Sequence, residues 1–441
     1  MSSFKIIELN YSNNLTNYYN KLSKLPGFVL LESADRIGGR YDIISAFPYH
    51  SLKIDYQESV TNQFFSVLEE LNPQKKKSNL DLPFQGGAIG YFSYDFAAQL
   101  AGINSPSQPG LKTMPLAELG FYDWAIISDH HLKKVSLFAA NTRPGTEDLV
   151  REVCARWHES EIEQNSFILK TQFFPLVSKD EYQNAFNLIY EELKRGRAYQ
   201  VNYTQPFLAE YTGDAWGMYK QVKANNPVPY SAFLRSDHSD ILSFSPERFL
   251  MMDKALLLTS PIKGTERRSD NPEEDENLKK KLGESVKNRA ENTMIVDLMR
   301  NDLGKIAKAG TVKVRELCSV ESYQAVHHLV SHIEGQCLNH LSAIDAFKSC
   351  FPGGSITGAP KLEAMRIIAE REAYARGLYC GSIGYFSSHG RFDSNIAIRT
   401  VVAREGNLHM AAGGGIVIDS NYEEEYLECF TKIAAIVNKL F

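Results

Sequence analysis

The chain has 441 residues, 43% of them hydrophobic and 11% aromatic, more than one ordinary core holds, so two domains or one large composite layer structure are expected. A formal net charge of −5 gives no reason to propose nucleic acid or an anionic membrane as a partner, and no 18-residue apolar run is present. Six scattered cysteines without a CxxC pair read as reduced thiols, and the N-terminus lacks a basic region followed by an apolar stretch; a cytoplasmic protein is expected.

Residues 1–145 carry short strand-like runs, GFVLLES, RYDIISAF, GGAIGYFSYDF, DWAIISD and KKVSLFAA, with helix-compatible stretches such as QFFSVLEELN between them. A charged, helical stretch beginning TEDLVREVCARWHESEIEQ opens a connecting segment over 146–175. From 176 to 441 an amphipathic helix, DEYQNAFNLIYEELKRG, precedes strands at VNYTQPFLAEY, SAFLRS, DILSFSPERFLMM and ALLLTSPI. Pattern alone supports a mixed α/β fold. GGAIGYFSYDF and CGSIGYFSSHG share IGYF, which suggests equivalent strands, although four matching residues do not establish a duplication.

In SPIKGTERR, Lys263 stands at the end of an apolar strand, where charge is penalised; read locally, it snorkels to water while Gly264 makes a turn. Further on, Glu284, Asn288 and Glu291 share one helix face, and Glu425, Glu428 and Lys432 share another. Asp419 or Ser420 can cap that last helix. Before it, Gly413, Gly414 and Gly415 leave backbone N–H groups open to an anion, or mark a bulge or tight packing. Oxygen ligands on two helices, with no His or Cys clustered near them, suit Mg2+. FPGGSITGAPK makes a turn into a helix without the GK[ST] of a nucleotide loop, so a small carboxylate is the better ligand.

PIKGT, RAENTMIVDLMRNDLGKI, AVHHLVS, FPGGSITGAPK, CGSIGYF, IAIRT and AGGGIV followed by EYLE, in this order, resemble the chorismate-utilising enzymes. That family includes anthranilate synthase large subunits, isochorismate and salicylate synthases, and aminodeoxychorismate synthase component I. The resemblance is dense over about 176–440 and thinner before it. It implies a sandwich of two large, mostly antiparallel sheets with helices outside, and makes 176–441 the chorismate-binding catalytic region.

On these residues the resemblance implies Mg2+ at Glu291 and Glu428 with Glu425 in support, and Arg399 on a substrate carboxylate. Ser355, Tyr379, the amides of Gly413, Gly414 and Gly415, and Lys432 match further substrate-binding positions. Glu247 matches the acid that protonates the departing ring hydroxyl, and His328 a histidine implicated in catalysis. Taken alone, Glu247 reads as a partner for Arg248, and His328 as a buried imidazole bonded to a carbonyl. Asn288 departs from the acid that relatives often carry there.

Anthranilate synthases resemble PIAGT where this chain has PIKGT, the form of aminodeoxychorismate synthases. Desolvation and a neighbouring cation favour the neutral form of an amine, and a neutral amine at Lys263 can add to carbon 2 of chorismate. Covalent, electrostatic and general-base action by Lys263 all stay open on the sequence. Isochorismate and salicylate synthases resemble a pattern whose lysine activates water; Gln200 stands there in this chain, and glutamine is no general base. The reaction implied is amination of chorismate by ammonia, for 4-aminobenzoate and folate synthesis. No cysteine sits in a nucleophile elbow, so a separate glutamine amidotransferase subunit is the expected ammonia source. LLESA and NNPVPYSAF resemble segments that form a tryptophan pocket in this family, and tryptophan is a possible further ligand.

Overall fold

Alternation with a period of two builds both sheets of the computed structural model, which describes residues 4–35, 39–74, 80–160, 166–237 and 239–440. In strand Val29–Glu32, Val29 joins one apolar cluster with Ile43, Ile127, Ala232 and Leu234, while Leu30 joins another with Ile44, Ile126 and Phe233. The first cluster also takes Ile89, Tyr91, Ile383 and Tyr385 from the second sheet, so it is the layer between two sheets packed face to face. The other cluster lies under the helices. Trp216 of helix Ala215–Asn225 meets Phe233 at 5.0 Å between ring centroids. Phe347 of helix Ala343–Cys350 meets Phe92 at 4.8 Å. Each such buried aromatic contributes about 1.5–3 kcal/mol.

The first sheet runs, in spatial order, Lys5–Leu9, Lys134–Ala139, Trp124–Asp129, Tyr41–Ser45, Val29–Glu32, Tyr230–Arg235, Asp240–Ser245, Thr400–Arg404, Asn407–Ile416, Gln200–Gly213 and Phe174–Pro175. The second runs Ile262–Arg267, Val326–Gln336, Leu256–Ser260, Arg248–Asp253, Phe392–Asn395, Ser382–Ser387, Gly87–Phe92, Ala117–Tyr122 and His50–Ile54, with Lys313–Ser322 also paired to Val326–Gln336. Strands from before residue 145 and after residue 176 thus share both sheets. Residues 161–165 of the connecting stretch lie outside the described residues.

The IGYF echo is more than a local likeness. The two strands that carry it are antiparallel neighbours, with Gly90 opposite Gly384, Ile89 opposite Tyr385 and Tyr91 opposite Ile383. From this pair, and from Val29–Glu32 beside Tyr230–Arg235, strand order mirrors outward in both sheets. Lys5–Leu9 corresponds to Gln200–Gly213, and each is followed by a helix, Thr16–Leu22 or Ala215–Asn225. The fold is an internal duplication that the sequence barely shows, because buried sheets specify apolar alternation rather than particular residues.

The halves differ most after their fourth strands. Eight residues separate His50–Ile54 from helix Gln63–Leu71, whereas between Arg248–Asp253 and helix Ala343–Cys350 the second half inserts four strands and two helices. These are strands Leu256–Ser260, Ile262–Arg267, Lys313–Ser322 and Val326–Gln336, and helices Pro272–Glu284 and Val286–Gly304. Lys263, Glu291 and His328 all lie in this insertion.

Candidate active site

Glu247 sits in the turn between strands Asp240–Ser245 and Arg248–Asp253, its side chain buried. Ser355 Oγ, in the short turn Gly354–Ile356, donates to Glu247 Oε1 at 2.9 Å, and the Ile262 N–H donates to the same carboxyl. Burial pushes its pKa up to about 7 against the opposing pull of Ser355, Lys263, Ile262 and Arg399. A carboxyl poised there gives and takes a proton near neutral pH. Arg248 is not its partner. Arg248 forms a two-pronged pair with Asp393, at 3.0 Å through each nitrogen.

Lys263 is half-buried on strand Ile262–Arg267, close enough to Glu247 to act on its charge. The strand bends at Gly264, whose φ is +83° and where a Cβ would come within 2.8 Å of Asn288 Cγ. Asn288 therefore packs against the backbone beside Lys263. His328 is buried; its Nδ1 lies 2.9 Å from Thr265 Oγ1, and it makes a backbone hydrogen bond to Gly264. Burial and the charge of Arg399 push the pKa of His328 down to about 3, so the ring is neutral at physiological pH.

Arg399 stands in the left-handed region, φ 50°, where its carbonyl accepts from the Phe244 N–H. Burial pushes its pKa below the ordinary value, with Glu247 the one charge opposing this. Its guanidinium has no hydrogen bond or ion pair to any described residue. A desolvated, unpartnered guanidinium is costly unless an anion completes it.

A second group lies where helix Tyr422–Val437 packs on strand Asn407–Ile416. At Gly414 a Cβ would come within 2.5 Å of Glu425 Oε2 and 3.2 Å of Glu428 Oε2, so only glycine admits both carboxylates. Lys432 Nζ pairs with Glu428 at 2.6 Å and donates to the Gly413 carbonyl at 2.6 Å. Asn421, not Asp419 or Ser420, caps the helix, accepting from the N–H groups of Glu423 and Glu424. Ser420 instead donates to Glu425 Oε1 at 2.7 Å. Gly415 lies against Gln200, whose buried Nε2 has no hydrogen-bond partner among the described residues.

Asn202 and Arg376 join the two groups. The backbone of Asn202 is opposite Gly415, while its Nδ2 donates to the Ile356 carbonyl at 2.9 Å, in the turn that carries Ser355. Arg376 donates to the same carbonyl at 3.1 Å and to the Asn202 carbonyl at 2.5 Å, and pairs with Glu372 at 2.7 Å. Glu372 in turn accepts from Thr204. Buried Tyr379 follows in the same turn, its N–H donating to the Arg376 carbonyl.

Residues 28–438 match the family model described as chorismate binding enzyme. Aminodeoxychorismate synthase component 1 of Escherichia coli K12 is 42% identical, covering 96% of this chain and 95% of its own length. The Bacillus subtilis 168 protein of that name is 35% identical over 93% of this chain and 91% of its own length. This chain belongs to the chorismate-binding enzymes. Among solved members, anthranilate synthase component I from Streptococcus pneumoniae TIGR4 superposes with a TM-score of 0.78 at 28% identity, covering 90% of this chain and 92% of its own. The expected two-sheet sandwich is thus the observed fold.

For a chorismate-binding enzyme the decisive test of a metal is whether its carboxylates lack something. Glu425 Oε2 is buried without a hydrogen-bond partner among the described residues, and burial together with the charge of Glu428 pushes the Glu425 pKa up. Glu291, half-buried on helix Val286–Gly304, has no hydrogen bond or ion pair to any described residue. Oxygen donors of this kind suit a hard cation, but Glu428 is already paired with Lys432, and the described side chains of Glu291, Glu425 and Glu428 do not bring ligand atoms within 4.8 Å of one another. Sequence reasoning missed Asn202, Thr265, Glu372 and Arg376. Glu372 and Arg376, four apart, carry the pattern of an exposed helical pair, and nothing in the sequence marks them as buried.

Proposed function

We propose that this chain aminates chorismate to 4-amino-4-deoxychorismate, in the route to 4-aminobenzoate and folate, as the component partnered by a glutamine amidotransferase. The observation that carries the reading is the placement of Lys263 beside the protonatable Glu247, with Arg399 unpartnered next to them. The names of the relatives support it, since "component 1" presupposes a second component.

In this reading Arg399 takes a carboxylate of chorismate in a two-pronged pair, and Ser355, Tyr379, Lys432 and the amides of Gly413, Gly414 and Gly415 fix the rest of the molecule. The amine nitrogen of Lys263 bonds to carbon 2 through its lone pair; the ring double bonds shift to C1–C6 and C4–C5; the C4–O bond breaks, and Glu247 gives the leaving oxygen a proton so that water departs. Ammonia then bonds to carbon 4, the double bonds shift back, the C2–N bond breaks, and Glu247 recovers a proton from the new ammonium. Neutral His328 holds Gly264 and Thr265, and so the direction of Lys263. Mg2+ on Glu291, Glu425 and Glu428 would balance the charge of a substrate carboxylate.

No helix among the described residues is long and apolar enough to cross a membrane, and all six cysteines are free, which supports a cytoplasmic setting. A cavity of about 310 Å3 between the sheets, lined by Leu31, Ser33, Tyr41, Pro229, Tyr230 and Ser231, is where tryptophan would bind. The experiment that tests the function gives the purified chain chorismate and Mg2+ with either ammonium or glutamine, and identifies products by mass spectrometry. Aminodeoxychorismate with ammonium alone supports the proposal, and anthranilate overturns it.

A further inference from the structure

Glu316, Glu321 and His332 bring one ligand atom each within 4.8 Å of one another, which no other trio of His, Cys, Asp and Glu does among the described residues. Their sequence spacing gives no hint of this. In a regular strand residues five apart lie about 17 Å from each other and on opposite faces. Strand Lys313–Ser322 is not regular. Glu316 is opposite His332, yet Ser319 is already opposite Val330, and Cys318 takes a left-handed φ of 52° in the irregular stretch between. This bulge turns Glu316 and Glu321 toward the same histidine.

The donors are aimed from outside the trio. His332 Nδ1 lies 3.0 Å from Ser260 Oγ, which turns Nε2 toward Glu321 Oε1 at 2.5 Å. Tyr323 donates to the other oxygen, Glu321 Oε2, at 2.5 Å. Glu316 is exposed and has no hydrogen bond or ion pair to any described residue, and its neighbour Arg315 is engaged with Glu334 at 2.5 Å. Two carboxylates therefore face one imidazole, with solvent access and outer hydrogen bonds fixing two of the three ligands, as in many metal centres.

We propose that Glu316, Glu321 and His332 bind a divalent cation of the zinc class, at a site distinct from the carboxylates of helices Val286–Gly304 and Tyr422–Val437. One imidazole nitrogen with two carboxylates is a donor set that Zn2+ or Co2+ accepts and that Mg2+, which favours oxygen alone, does not prefer; water fills the remaining position. The site adjoins the strands that carry the chemistry. Ser260 is three residues before Lys263, and Glu321 is opposite His328 in the sheet, so a bound ion ties together the strands that present both.

The test is equilibrium dialysis of the full chain against Co2+ or Zn2+ in millimolar MgCl2, with metal content and the visible spectrum of Co2+ as readouts. One equivalent should be retained, and Glu316→Gln, an exposed change that leaves folding intact, should weaken binding at least 10-fold. His332→Gln should abolish binding, while Glu428→Gln should leave it unchanged. No saturable binding in the presence of Mg2+, or equal binding by wild type and Glu316→Gln, would overturn the proposal.

Discussion

Ser355 Oγ donates to Glu247 Oε1 at 2.9 Å, the one side-chain hydrogen bond from a described residue to a buried carboxyl whose pKa burial has pushed up to about 7. In the proposed reaction Glu247 must hold a proton when the hydroxyl leaves, so kcat/KM should fall as pH rises through about 7. The Ser355 bond favours the ionised form; in Ser355→Ala the falling limb should move to higher pH, by about 1 unit. Stability follows the same proton. Because the folded pKa lies above the unfolded one, the contribution of Glu247 is full below about 4.5 and is lost as pH rises through about 7. Glu247→Gln should therefore abolish activity while flattening the melting temperature against pH between those values.

Lys263 separates covalent from electrostatic action. Lys263→Arg keeps the positive charge but removes the nucleophile, since a guanidinium stays protonated. A covalent role requires a loss of at least about 100-fold in kcat, which is about 2.7 kcal/mol of barrier. Intact-protein mass spectrometry with chorismate and Mg2+ but no ammonium should show an adduct on the wild type and none on Lys263→Arg. An active Lys263→Arg would make the lysine a fixed charge only.

Arg399 has burial without a partner, so its removal should divide binding from stability. Arg399→Gln should raise the KM for chorismate by about 100-fold, the worth of a charge-assisted pair in a desolvated site. The melting temperature should hold or rise, because a buried charge without a counter-ion no longer has to be accommodated. A large fall in melting temperature would show that Arg399 is structural.

The chemistry was more legible in the sequence than the frame that holds it. Lys263, Glu247 and Arg399 each sit in a short stretch, PIKGT, SPERF or IAIRT, where polar groups interrupt apolar strands, and the structure brings all three together. The duplication was illegible because Ile89 and Tyr385, or Val29 and Ala232, need only be apolar to share the layer between the sheets. The linking residues were hidden for the opposite reason: Asn202 and Arg376 are ordinary polar residues whose roles depend on carbonyls more than 150 residues distant along the chain.

Arg376 should be the most expensive of those linkers to lose. It pairs with Glu372 and reaches the carbonyls of Asn202 and Ile356, all buried. Arg376→Met leaves Glu372 as an uncompensated buried charge, a loss of about 3–5 kcal/mol, read as a fall in the urea midpoint. Arg376→Met combined with Glu372→Leu should recover part of it. Since the Ser355 turn is anchored through the Ile356 carbonyl, the single variant should also lower kcat.

Glu425 offers two opposed readouts of the proposed metal. Without Mg2+, its buried Oε2 lacks a partner and its carboxylate is repelled by Glu428, so Glu425→Gln should raise the melting temperature of the metal-free chain. With Mg2+, the same change removes a negative charge beside the ion, and the Mg2+ concentration for half-maximal activity should rise about 10–100-fold. Glu425 binding or supporting Mg2+ requires both shifts. A more stable variant with unchanged Mg2+ dependence would place the ion on Glu291 and Glu428 alone.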